Sequence, residues 1–314
     1  MNLTRIMARA ASGIAVLVLA SAISVVALGQ ESRGDENYAV FVSQRNGAAE
    51  LYLIDLNTRQ VSQLTNTGRG HLIPAVSSNR SIVFASREGS NYEIFSGTLG
   101  SVLRTKRPTL VGVNRLTINT EDETAVTTTR DGGWISFLSS NGIEVMTAGG
   151  LERKVIVPRG EFSNDFGPSI SPDGSRVAFV SNRDGNYEIW TCTVLTGELR
   201  QLTRGGKVTG GVNWSADSKQ VVFNTTATAS EVSGIAAASI DTGSFRILTD
   251  KGDFNGSLSV RGDRMLFTST RDGDAELYLL NVGSGSVERL TFNLGMDDGA
   301  VFVTDQTRLA RPTR

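Results

Sequence analysis

Cysteine and histidine are nearly absent from this 314-residue chain, which holds one of each, Cys192 and His71. A single cysteine excludes an internal disulfide, and Cys192, beside Trp190 in a β-like run, reads as a small core residue. The chain lacks the His and Cys ligands that zinc needs. Any Ser-His-Asp device would have to use His71, and no G-x-S-x-G elbow occurs. Neither sign of charge dominates, with 31 Lys and Arg against 32 Asp and Glu. A nucleic-acid binder would carry a basic excess. No low-complexity segment or linker divides the chain, so residues 30–314 are expected to form one domain.

There is one long apolar run, Ala10 to Leu28, and it follows a basic start at Arg5 and Arg9. Small residues at Ala27-Leu28-Gly29 offer a cleavage site. Residues 1–29 therefore read as a secretory signal peptide, which sends the rest to the periplasm or outside and leaves no stable membrane insertion once cleaved. Left uncleaved, the run would be an anchor near the lower length limit for spanning. Removing Arg5 and Arg9 leaves 29 basic against 32 acidic side chains, a formal charge of −3.

What the chain does have is repetition. The residues from Asp165 to Thr203 read DFGPSISPDGSRVAFVSNRDGNYEIWTCTVLTGELRQLT. Tight-turn signals at Pro172-Asp173-Gly174, Asp184-Gly185 and Thr196-Gly197 separate four short strands, because glycine supplies the positive φ that such turns demand. A second-strand phenylalanine recurs at Phe41, Phe84, Phe137, Phe179, Phe223 and Phe267, at intervals of 43, 53, 42, 44 and 44 residues. A Leu-Thr pair closes five of these units, at Leu64-Thr65, Leu116-Thr117, Leu202-Thr203, Leu248-Thr249 and Leu290-Thr291. Four-stranded units at this period predict an all-β fold, a six-bladed β-propeller. The first unit, from Tyr38, lacks a first strand, whereas Asp297 to Val303 repeats the first-strand pattern with no second strand after it. The C-terminal strand is expected to join the N-terminal blade and close the ring, which removes open edges.

Aligning the units brings His71, Glu123, Asp165, Thr209, Asp253 and Asp297 to the start of the innermost strands, around one mouth of the central channel. Four of the six are acidic. Converging carboxylates repel, and a bound cation such as calcium, a basic ligand group or proton uptake would relieve the cost. Each acid could equally cap a turn by accepting backbone N–H groups. No cofactor is expected otherwise. On the same face, Arg45, Arg87, Arg183 and Arg271 precede the hairpins and Glu50, Glu93, Glu188 and Glu276 follow them, which suggests opposite-charge pairs across each hairpin. Asp272, Asp274 and Glu276 carry only part of a calcium-loop pattern. The second unit holds about nine extra residues before its closing pair. They include the basic Arg104, Lys106 and Arg107, expected on the opposite face as a solvated loop or a contact for an anionic partner.

The segment SISPDGSRVAFVSNRDGNYEIW, followed by GELRQLT, resembles the repeat of the TolB-type propeller family, with its S-P-D-G turn, I/V-A-F strand, S-x-R-D-G hairpin and closing L-T. Similar repeats occur in the propellers of prolyl oligopeptidase-like and tricorn-like peptidases. The resemblance runs from about Tyr38 to Phe302 and implies the fold. It also implies a periplasmic scaffold of the Tol-Pal kind, binding a lipoprotein partner at the channel mouth. That family carries an α/β domain before its propeller; with about eight residues between Gln30 and the first strand, this chain resembles the propeller alone. The sequence thus points to a monomeric, non-catalytic binding module for an envelope protein. The rival is a carbohydrate-active enzyme using two mouth carboxylates.

Overall fold

The computed structural model describes residues 37–100, 108–161, 163–227, 233–249 and 256–303. The predicted signal peptide, the basic stretch Arg104–Arg107 and Asp253 lie outside them. The described residues contain strands and turns and no helix. They form six antiparallel sheets of four strands each. In blades II to VI the strands run outward from the axis in chain order, and the innermost are Ala75–Val76, Thr124–Thr128, Asp165–Ile170, Val208–Trp214 and Leu258–Arg261. Blade I differs: its innermost strand is Asp297–Phe302, paired antiparallel with Tyr38–Ser43, so the two ends of the described chain meet in one sheet as predicted.

The second strand of each blade is apolar on both sides because both sides are covered, the pattern of a strand sandwiched between sheets. Alternate residues serve different neighbours. Ala39 and Phe41 pack with Leu266 and Leu277 of blade VI, while Val40 and Val42 pack with Ile82 and Phe84 of blade II. The same division repeats around the ring: Val177 and Phe179 face blade III, Ala178 and Val180 face blade V. All six repeat phenylalanines are among the largest fully buried side chains. Blades therefore adhere to one another through burial of apolar surface, the largest favourable contribution to folding.

The closing Leu-Thr pairs act through their hydroxyls. Thr65, Thr117, Thr203 and Thr291 Oγ1 accept the N–H of Leu51, Ile94, Ile189 and Leu277 at 2.8, 2.9, 3.0 and 3.0 Å. This satisfies a third-strand N–H after the short fourth strand has ended, and it turns the chain toward the next blade. A glutamate at or near the start of each of those third strands completes the joint. Glu188, for example, accepts the Thr203 hydroxyl at 2.5 Å and the N–H of Gly205 at 2.6 Å. Glu50, Glu93 and Glu276 take the equivalent loop N–H groups of Thr67, Asn119 and Asn293.

Candidate functional site: the mouth of the central channel

The six innermost strands enclose a channel of about 610 Å³ whose wall is mostly apolar or small. Leu72, Ile73, Pro74, Pro168 and Val212 contribute to it, with Asp298 near one end and Arg130 and Arg261 near the other. At several points the wall is shaped by a β-bulge. The second residue after the predicted mouth position has positive φ at Ala125 (51°), Gly167 (59°), Gly211 (62°) and Gly299 (66°). The pairing register slips at the same places in blades III, IV and V. A bulge kinks the strand and re-aims its side chains.

Asp165 and Asp297 open their innermost strands and Glu123 and Thr209 lie one residue from the start of theirs, whereas His71 lies four residues before Ala75–Val76, in an isolated bridge to Ser86. The N–H of His71, Glu123 and Asp297 bonds back to the preceding blade at Ala49, Tyr92 and Ala275. Their side chains, however, do not form an open acidic ring. The carboxyl groups of Glu123 and Asp297 are fully buried, and that of Asp165 is 7% exposed. Each meets an arginine. Arg45 donates to Asp297 at 2.8 Å, Arg183 donates to both oxygens of Asp165 at 3.0 Å, and Arg153 reaches Glu123. Thr209 is the one exposed member among the described residues.

Arg45 and Arg183 therefore pair with Asp297 and Asp165 and not with the glutamate across their own turn, contrary to the sequence expectation. The residue opposite Glu50 is Ser43, and opposite Glu188 it is Ser181. Arg45 sits two residues further, in the turn, and folds back. Its Nε donates to Ser43 Oγ at 2.8 Å, and its guanidinium lies 5.0 Å from the Tyr52 ring centre. Arg183 repeats this with Ser181 and Trp190, and Arg271 with Ser269 and Tyr278. An aromatic third-strand residue thus serves as a platform that aims an arginine at the mouth.

Blade III solves the problem differently. Where four other blades carry Tyr52, Phe95, Trp190 or Tyr278 opposite the repeat phenylalanine and blade V carries Ala236, it has Glu144. Arg153 bridges this acid and Glu123, with Nε 2.5 Å and Nη2 2.9 Å from the Glu144 carboxylate. Burial pushes the Glu144 carboxyl up, but hydrogen bonds from Arg153 and Ser139 outweigh it and hold the group below the usual range. Arg153 escaped the sequence reading; the odd acid in an aromatic column was the available signal.

His71 belongs to the joint between blades I and II. Its Nε2 lies 3.0 Å from Glu50 Oε2 and 3.2 Å from Thr67 Oγ1. Burial pushes the imidazole down by more than Glu50 raises it. Asp297 goes the other way: burial pushes its carboxyl up against the opposing effect of Ser43 and Arg45. Among the described residues no three His, Cys, Asp or Glu side chains are grouped to hold a metal ion. Asp272 accepts the Tyr278 hydroxyl at 2.6 Å.

No family profile matches the chain. It is 31% identical over 171 residues to a protein TolB homolog of Chlorobium luteolum, covering 51% of this chain and 35% of that protein. The chain spans about a third of the length of the curated relatives it matches. In structure it is similar to TolB from Acinetobacter baumannii, with a TM-score of 0.67 at 20% identity, over 87% of this chain and 68% of that one. An oligogalacturonate lyase of Vibrio parahaemolyticus shares the fold with a TM-score of 0.53 at 14% identity, over 81% of this chain and 74% of its own.

Proposed function

We propose that this chain, a TolB-like six-bladed propeller, is a non-catalytic binding scaffold that receives a protein partner at its channel mouth. The observation that carries the reading is the state of the mouth carboxylates. Glu123, Asp165 and Asp297 are each engaged by an arginine and turned into the blades. An acid–base pair must reach its substrate, whereas a rigid, preformed rim suits recognition. The ring residues His71, Glu123, Asp165 and Asp297 set the shape of that rim and Thr209 stands on it; Asp253, the sixth position in the sequence alignment, lies outside the described residues. The fold likeness to a lyase carries no chemistry to these residues.

A periplasmic, envelope-associated setting belongs to the same proposal. It is supported by the basic and then apolar leader and by the TolB homologues. The test is capture from an envelope extract by the mature protein and by Thr209→Arg, which adds a bulky charge at an exposed rim position without touching the core. A partner retained by the parent and lost by the variant supports the mouth; equal retention would refute it. Turnover of an oligosaccharide panel by the parent, abolished in Asp165→Asn, would instead establish the enzyme.

A further inference from the structure

The segment that leads from blade VI to the closing strand departs from its counterparts. Residues 66–70 read NTGRG and residues 204–207 read RGGK, whereas residues 292–296 read FNLGM. Phe292 is 73% exposed, Leu294 93% and Met296 36%. Three of the twelve exposed large apolar side chains among the described residues thus fall within five positions, and Met296 lines the channel. The repeat does not require this: residues 66–70 and 204–207 do the same connecting work with polar side chains, and the loop after Thr117 exposes a single apolar one, Ile118, at 81%. Apolar side chains clustered at a surface mark a contact site.

The backbone beneath them is held in place. Asn293 N donates to Glu276 at 3.0 Å, and its side-chain amide donates to the Gly295 carbonyl at 2.7 Å. Gln44 N of blade I donates to the Met296 carbonyl at 2.9 Å. Gly295 has φ of 144°, and its position lies against the backbone of Gln44. The Arg289 guanidinium sits 4.7 Å from the centre of the Phe292 ring. A loop fixed this way loses little conformational freedom on binding.

The charge around it is acidic. The neighbouring hairpin of blade VI bonds to Asp297 through the Ala275 carbonyl, and its tip carries the exposed Asp272 and Asp274. Asp298 lies on the channel wall beside Met296. The nearby base Arg289 is engaged with Glu276 at 3.0 Å and lies 3.6 Å from Asp272, which leaves Asp274 as the acid at the hairpin tip turned to solvent. An anionic membrane surface would be repelled by these carboxylates. A second copy meeting the same patch across a two-fold axis would oppose acid to acid.

We infer that the Phe292–Leu294–Met296 loop is the docking point for a partner segment that carries an aliphatic or aromatic anchor beside a basic side chain. The anchor covers Leu294 and Phe292, and the base meets Asp274. This rests on the binding reading given above and names the partner's chemistry. Three short labelled peptides test it by fluorescence anisotropy with the mature protein: Leu/Phe with Arg, Leu/Phe with Glu, and Ser with Arg. Only the first is expected to bind. Leu294→Ser and Asp274→Lys should each weaken it by about tenfold or more, and Asp274→Lys should begin to accept the Glu peptide. Leu195→Ser, at an 85% exposed leucine on the opposite face, should change nothing.

Equal binding of the Glu peptide, unchanged binding by Leu294→Ser, or no binding by any of the three would overturn the inference. So would sedimentation showing a Leu294-dependent dimer, or Leu294-dependent capture by phosphatidylglycerol vesicles. If the peptides fail while Thr209→Arg still abolishes capture from the envelope extract, this inference falls and the mouth reading stands.

Discussion

Replacing Arg153 with methionine should be the most damaging single change at the channel mouth. Methionine keeps the packing of the side-chain stem over Phe137, whose ring centre lies 5.0 Å from the guanidinium. What disappears is the charge shared by two acids that are 0% and 2% exposed, Glu123 and Glu144. Glu144 would keep hydrogen bonds from Ser139 at 2.5 Å and Asn141 at 3.3 Å, and Glu123 would keep one from Asn119 at 2.8 Å. Breaking a buried ion pair by removing one partner typically costs about 3–5 kcal/mol. For a domain of this size that corresponds to a fall in Tm of about 6–15 °C. The cost should depend on pH. Glu144 is held below its ordinary range in the parent, so its contribution is present above the unfolded carboxyl pKa and is lost as pH falls through the folded value. The variant loses that contribution and can protonate the stranded Glu144, so the two proteins should converge toward about pH 4. Urea unfolding at about pH 7 and about pH 4 measures both quantities. A loss below about 1 kcal/mol at neutral pH, or an equal loss at both, would refute the argument. Adding Glu144→Phe and Glu123→Gln, which gives blade III the aromatic of its neighbours, should recover most of the stability.

Phe179→Ala should cost about 3–5 kcal/mol by denaturant unfolding, since the side chain is fully buried between blades III and IV. Gly299→Ala should cost about 1–2 kcal/mol or more, because φ is 66° and a Cβ would lie 2.5 Å from the Ile73 side chain. Ala125→Gly, at φ 51°, should instead raise Tm slightly, with a gain of at most about 1 kcal/mol. Asp297 has its carboxyl pushed up, so its protonation favours the fold at acidic pH and that contribution fades as pH rises through the folded value. Asp297→Asn should therefore flatten the pH dependence of stability while keeping an oxygen for Arg45 to meet, as paired pH titrations of Tm would show.

The fold was legible because its signals are local and repeated. The turn at Asp173, whose carboxylate accepts the Ser171 and Ser175 hydroxyls, and the alternation about Phe179 both sit within a few residues of chain. The mouth was only half legible. Aligning the blades finds the height of Asp165 along the channel but not the direction of its side chain, which depends on the bulge at Gly167 and on Arg183. That arginine is in turn placed by Trp190 and Ser181. Glu123 was harder still, since its partner Arg153 lies 30 residues on, in a blade that breaks the aromatic pattern. Direction is a property of the assembled ring, and spacing alone does not carry it.

The pairing of Asp297–Phe302 with Tyr38–Ser43 also sets an order of events. Arg45 and Asp297 are 252 residues apart in sequence yet share a hydrogen bond. Blades II to VI can each form from contiguous chain, but the sheet that begins at Tyr38 has to wait, half-covered, until the last strand arrives. Contacts of such long range are slow to form. The N-terminal blade, first to be made, is thus the last to be finished. Residues 297–302 work as a latch whose arrival time bounds the assembly of the whole ring.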